Sequence, residues 1–295
     1  MTSRPDKIET MQRPKLTDRS ALNAHRRRAR SEGDFLHDIA LTELQERLED
    51  VNKTFTRPAI VTGNPRFWRD AFPQAQVVSD EDVLALDPKA HDLVIHALAL
   101  HWSDDPVGQL VQCRRALSDD GLFLSVCFGG ETLNELRTSL AVSETRLRGG
   151  LSPRVAPMGE LRDLGGLLQR AGFALPVADT IRQTVLYSDI ERLFCDLRNM
   201  GERNALAARD PVSPPRRMFS QAAVEYAQHF SDPEGRLRAT FDLIFLTGWA
   251  PSETQPKPLR PGSASTRLAD VLGTTEFDEN TNPVSDTNRS GITTK

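Results

Sequence analysis

Cysteine is scarce in this 295-residue chain, with only Cys113, Cys127 and Cys195. These are too few and too widely spaced for a disulfide framework or a Cys-x-x-Cys zinc site. Cys113 and Cys127 fall inside apolar periodic segments, where a thiol behaves as a small buried hydrophobe. The six histidines form no His-x-x-x-His or Glu-x-x-His pattern, so a metal enzyme is not indicated. No stretch approaches the roughly 18 apolar residues that span a bilayer, and no hydrophobic signal region follows the N-terminus. The expectation is a cytoplasmic protein. A Gly-x-Ser-x-Gly elbow, a Walker loop and a Cys/His nucleophile pair are all missing, which removes support for hydrolase and NTPase chemistry. No internal repeat or coiled-coil heptad is visible.

A large charge of one sign is also lacking. Against 37 Lys+Arg stand 41 Asp+Glu, leaving −4 and a pI near 5.9, so a general nucleic-acid footprint is not expected. The distribution is uneven, however: residues 1–30 hold nine basic and three acidic side chains, a local +6. The block His25-Arg26-Arg27-Arg28-Ala29-Arg30 reads either as an arm for RNA or an anionic surface, membrane included, or as a solvated flexible lead-in. Three acids in that segment argue against an organelle presequence. At this length one large domain with decorations is expected rather than two equal ones.

What is present alternates between two periodicities. Phe35, Leu36, Ile39, Ala40, Leu44, Leu48 and Val51 recur at helical spacing. Short β-branched runs follow at 59–63 and 76–79, and Asp92 to Leu98 is a nearly continuous apolar run of the kind buried on both faces of a parallel sheet. Asp104, Asp105 and Pro106 start a helix that stops before Gly121. Gly121 to Phe128 is another buried strand, closed by Gly129-Gly130 and followed by a helix from near Glu131. Further helices are expected near 161–171, with Gly172 as a stop, and near 189–200 and 217–230. A strand is expected around 184–187, and a late one from Ala239 to Trp249, antiparallel at the sheet edge. This βαβα alternation predicts an α/β fold with a doubly wound, mostly parallel sheet, whose ligands sit outside the carboxyl ends of the strands. The expected organisation is a basic, largely flexible arm over 1–34, a domain over 35–272 and a disordered polar tail over 273–295.

Candidate chemistry gathers at those strand ends. Gly63 and Asn64 close the first strand, offering one glycine where a nucleotide cradle wants several. Asp80, Glu81 and Asp82 follow the second run, and carboxylates there either receive ribose hydroxyls or begin a helix. His101 and Trp102 end the central strand, as an acid/base and a stacking face or as a cap and core packing. Phe128, Gly129, Gly130 and Glu131 end the next strand in the same way. His91 and His96 sit within or at the start of a strand and read as structural.

The stretches 77–86, 91–94 and 98–102 resemble the third and fourth strands of class I S-adenosylmethionine (SAM)-dependent methyltransferases. Through Leu117 to Gly121 and Phe128-Gly129-Gly130-Glu131-Thr132-Leu133-Asn134-Glu135-Leu136-Arg137 the likeness narrows. It is similar to the subgroup of the methyltransferase-like assembly factor of respiratory complex I, an arginine hydroxylase acting on a complex I subunit in mitochondria. The carboxyl methyltransferase of biotin synthesis is a more distant relative. Gly149 to Pro153, Asp163 to Phe173, Asp196 to Glu202 and Gly248-Trp249 extend the match. The resemblance implies a Rossmann-like fold, SAM as cofactor and a complex I subunit as partner. It places Gly63, Asn64, Asp80, Asp82, His101 and Trp102 around the cofactor, and Phe128, Gly129, Gly130, Glu131 and Arg137 around a substrate or partner; it assigns no catalytic residue. The chain departs from the family in one place. An acidic triple-glycine loop is replaced by Thr62-Gly63-Asn64-Pro65, and only about a dozen residues separate Gly63 from the run resembling the third strand, so a strand-helix unit is expected to be missing. That sets methyl transfer against a binding role on the same fold.

Overall fold

The computed structural model describes residues 15–255. The chain divides into a unit ending at Ser252 and a second unit from Glu253, of which only residues 253–255 are described, so the polar tail expected over 273–295 lies outside the described residues. The first unit carries helices α1 (Arg19–Arg26), α2 (Phe35–Asp50), α3 (Pro65–Ala71), α4 (Pro106–Ala116), α5 (Asn134–Arg148), α6 (Leu161–Ala171), α7 (Ile190–Met200) and α8 (Arg216–Phe230). Its strands are β1 (Pro58–Thr62), β2 (Gln76–Val78), β3 (His91–Ala97), β4 (Leu117–Gly129), β5 (Ala174–Tyr187) and β6 (Leu237–Trp249). They form one six-stranded sheet in the order β2-β1-β3-β4-β6-β5.

β1 to β4 are mutually parallel, and β6 runs antiparallel to both β4 and β5. One strand, β2, lies outside β1, reached through the single short helix α3, so the first half of the sheet is abbreviated as the sequence implied. Two expectations for the second half are corrected. The strand expected near 184–187 begins at Ala174, because alternation of half-buried and exposed residues along an edge strand hides its length from an apolar-run criterion. The antiparallel strand 237–249 is interior, with β5 beyond it at the edge; its continuous burial from Phe241 to Leu246 follows from helices on both faces.

Alternating side chains of each strand feed opposite cores. Leu93, Ile95, Leu122, Leu124, Val126 and Phe128 pack against α2, α5, α7 and α8. Val94, Phe123, Cys127 and Ile244 pack against α4 and α6. Helix limits are set by local chemistry. Asp18, Asn64, Asp105 and Asp189 accept backbone N–H groups at the starts of α1, α3, α4 and α7. Gly172, at φ +82°, ends α6 in the left-handed conformation that glycine adopts without Cβ strain.

From Lys15 onward, the basic segment expected to be a flexible arm makes contacts with the rest of the unit. Leu22 of α1 is fully buried in a small cluster with Trp102, Ala156, Ala205 and Leu206. Thr17 donates to the Trp102 carbonyl at 2.8 Å, and Asp104 accepts the Leu16 and Thr17 N–H groups. One buried leucine and these bonds offset an ordering cost that composition alone could not show repaid.

Candidate functional site

Two cavities open at the carboxyl ends of the parallel strands, and the residues between them belong to both. The first, about 480 Å³, is lined by Thr62 at the end of β1, Gly63 and Asn64 after it, Ser79 and Asp80 after β2, and Leu98 after β3. Arg26 of α1 closes it. Arg19 and Arg26 stand seven residues apart, two helical turns, and so share a face. Both reach Asp80: Arg26 donates to Asp80 Oδ1 at 2.7 Å and Arg19 to Oδ2 at 3.1 Å, with a second Arg19 bond to the Asp80 carbonyl at 2.7 Å. Asp80 is 2% exposed. Burial would raise its carboxyl, but the guanidinium groups of Arg26 and Arg19 outweigh it and hold the carboxyl below its usual range. The Arg26 guanidinium also lies against Gly63, where a Cβ would meet its Cζ at 2.2 Å. Asn64 is committed to capping α3 and to Asp34, which it meets at 2.8 Å.

These residues do not fit a SAM molecule as they stand. The carboxylate that would receive a ribose diol has an arginine on each oxygen, and the backbone turn that would approach the cofactor is covered by a guanidinium. Asp82 is exposed, offers its backbone carbonyl to Gln112, and lines neither cavity.

The second cavity, about 960 Å³, lies behind His101 and Trp102. Glu202 is the joining piece. Gly201, at φ +81°, ends α7 and turns Glu202 inward, where its Oε2 accepts the Trp102 indole N–H at 2.6 Å and faces His101 Nε2 at 3.2 Å. Burial would raise the Glu202 carboxyl, but His101, Arg26 and the indole N–H hold it low. The remaining His101 nitrogen, Nδ1, is buried without a hydrogen-bond partner among the described residues, and the ring sits 4.9 Å from that of Phe128. Met200 and Glu202 line both cavities. Sequence reasoning placed His101 and Trp102 beside the cofactor; the fold turns them towards the second cavity.

Phe128 contributes to that cavity's floor, together with Phe241 and Leu136. Gly129, Gly130, Glu131 and Arg137 line neither cavity. Gly130 donates to the Gly159 carbonyl, the Glu131 N–H donates to Asp242, and Arg137 reaches the Ala156 carbonyl at 3.2 Å. They tie the ends of β4 and α5 to β6 and to the 153–159 loop. That loop is itself pinned by Glu144, 1% exposed, which accepts from Ser152 N and Arg154. His96 is fully buried against Gln109 at 3.0 Å, the structural role expected of it. Cys113 and Cys127 are buried, and burial pushes both thiols up to about 12.

Reasoning from sequence missed Arg19, Arg26 and Glu202 as site residues. The seven-residue spacing of the two arginines was a usable signal, obscured by the surrounding basic block. Glu202 closes one of the stretches that carry the resemblance, but it lies a hundred residues from its partners, and nothing in the sequence joins it to them.

No protein-family model matches the chain. It is 37% identical over 199 residues, 68% of its length, to the human protein named arginine-hydroxylase NDUFAF5, mitochondrial, and 35% identical over 209 residues to its Danio rerio counterpart. It is 31% identical over 188 residues to a malonyl-[acyl-carrier protein] O-methyltransferase of Laribacter hongkongensis. The matched regions span 57%, 65% and 61% of those proteins respectively. Among solved structures, the YcgJ protein of Bacillus subtilis superposes with TM-score 0.48 at 12% identity, over 71% of this chain and 98% of that one. No helix among the described residues is long and apolar enough to cross a membrane. The chain is a methyltransferase-family protein with a Rossmann-like fold, homologous to the NDUFAF5 arginine-hydroxylases and more distantly to the malonyl-[acyl-carrier protein] O-methyltransferases.

Proposed function

We propose that this protein acts in the assembly of respiratory complex I by binding a subunit, on a methyltransferase fold whose SAM site has been given over to internal contacts. The carrying observation is the Arg19–Asp80–Arg26 clamp, with Arg26 seated on Gly63. A carboxylate held by two charge-assisted bonds is a poor receptor for a neutral diol, because each ribose hydroxyl would replace an ionic partner with a weaker one. The assembly role is carried over from the homologues by family resemblance, and the second cavity offers room for a segment of a partner.

Calorimetric titration with SAM and S-adenosylhomocysteine tests the cofactor half. No heat at millimolar ligand is expected; micromolar binding, about −8 kcal/mol, would restore an active methyltransferase and sink this proposal. Deleting the protein from its source organism tests the other half. Assembled complex I should fall and be rescued by the wild-type chain, and unchanged complex I would remove the assembly role.

A further inference from the structure

The second cavity has a composition that the methyltransferase fold does not by itself explain. Its interior is apolar and aromatic, with Phe128, Leu136, Leu140, Phe194, Phe219 and Phe241 drawn from β4, α5, α7, α8 and β6. Its rim is cationic. Arg198 in the last turn of α7, Arg203 in the following loop and Arg216 at the start of α8 are exposed, and none forms a salt bridge among the described residues. Arg154 and Arg209 also line it, each paired with a carboxylate at its back, Glu144 and Asp18. Of the lining acids, Glu202 is held by His101 and Trp102 and Asp210 by Arg148 at 2.7 Å, while Glu191 is exposed and forms no salt bridge among the described residues.

Two further observations report the same field. His25, which lines the cavity, is held below its ordinary pKa first by burial and then by Arg203, Arg209 and Arg28. Helix α8 begins with Arg216 and Arg217, has no acid in its first turn and receives no side-chain cap from Pro215, which is the reverse of what its positive end favours. At the mouth, Val212 is 63% exposed.

We infer that this trough receives a segment of a partner polypeptide in which an aromatic or long aliphatic anchor is flanked by several carboxylates. This rests on the subunit-binding role proposed above and names the chemistry of the segment bound. Three unbridged arginines on three separate stretches of chain suit a ligand with several acids spaced along it; a ligand with a single anionic head leaves two of them unanswered. The apolar floor supplies the anchor's contacts, and the rim supplies selectivity and encounter rate.

The test uses the full chain and a fluorescein-labelled twelve-residue peptide carrying one Phe and one Leu among Glu and Asp, read by polarisation. Comparators are the same peptide with Lys in place of every acid, and sodium dodecanoate as competitor. The acidic peptide is expected to saturate at tens of micromolar, at least tenfold tighter than the lysine peptide, and to weaken between 50 and 500 mM salt. The R198E/R203E/R216E variant should lose at least tenfold in affinity with unchanged circular dichroism, since all three positions are exposed. Val212→Ser, also exposed, should weaken binding through the apolar contact. Equal binding of both peptides, or wild-type affinity in the triple variant, overturns the proposal. Dodecanoate binding without saturable peptide binding also overturns it, reassigning the trough to a small amphipathic anion. Complementation separates the two readings. A triple variant that restores complex I leaves assembly standing and removes this inference, whereas peptide binding by a protein whose deletion leaves complex I intact does the opposite.

Discussion

Arg26→Ala is the most direct test of the clamp at the first cavity. Arg26 and Asp80 are 9% and 3% exposed at their side chains and meet at 2.7 Å. Removing one partner of a fully buried ion pair costs about 3–5 kcal/mol, because an uncompensated charge remains. Arg19 stays on Asp80 at 3.1 Å, so part of that cost is spared. The loss should approach that of one buried hydrogen bond to a charged group, about 2–3 kcal/mol. For a domain of this size that corresponds to a fall in Tm of about 5–10 °C. Denaturant and thermal unfolding of wild type and variant measure it directly. The pH dependence gives a second handle. The Asp80 carboxyl is lowered in the folded state, so its contribution is complete above the unfolded carboxyl's value of about 3.9 and is lost as pH falls through the lower folded value. The gap between wild type and Arg26→Ala should therefore be constant from pH 8 to 5 and narrow below about pH 4. A variant within about 0.5 kcal/mol of wild type at pH 7, or a gap that persists unchanged into acid, would refute the claim that this pair is a buried structural clamp.

Glu202→Gln removes the charge from the group that joins His101 and Trp102. It should destabilise by about 2 kcal/mol and shift the emission of Trp102, while an unmoved spectrum at unchanged stability would count against that junction. His37 and His96 are both depressed to about 4, chiefly by burial. A histidine whose folded pKa lies below its unfolded one stabilises fully above about pH 6.5 and progressively less down to pH 4. Unfolding free energy should thus fall by a few kcal/mol across that window, and a flat profile between pH 6.5 and 5 would show that these rings are not buried neutral. In thiol titration of the native protein at pH 8, only Cys195, half-buried, should react quickly, because burial pushes Cys113 and Cys127 up to about 12; two or three rapid equivalents would contradict their burial.

The abbreviated first half of the sheet shows how far local signals reach. The runs that became β1, β3 and β4 were legible because burial on both faces leaves nearly unbroken apolar sequence. Helices α4 and α7 were legible because their caps are local, from Asp105 and Asp189. β5 was largely invisible, since an edge strand exposed on one side carries no such run, and β6 could be placed at the edge only by default. Candidate residues followed the same division. Gly63, Asn64 and Asp80 come together in the first cavity because chain order and sheet order agree at the ends of β1 and β2. His101 and Trp102 were identifiable as residues at a strand end, but which cavity they serve depends on Glu202.

Sequence by itself determined the α/β class, the family resemblance and the burial of Cys113 and Cys127, because each follows from residues near one another in the chain. Tertiary structure decided the rest. It took two arginines from a basic segment that composition reads as solvated and seated them on Asp80. It brought Glu202 across a hundred residues to His101 and Trp102, and it assembled a cationic rim from α7, its following loop and α8. Ion pairs and cavities are set by three-dimensional proximity, which sequence separation does not encode.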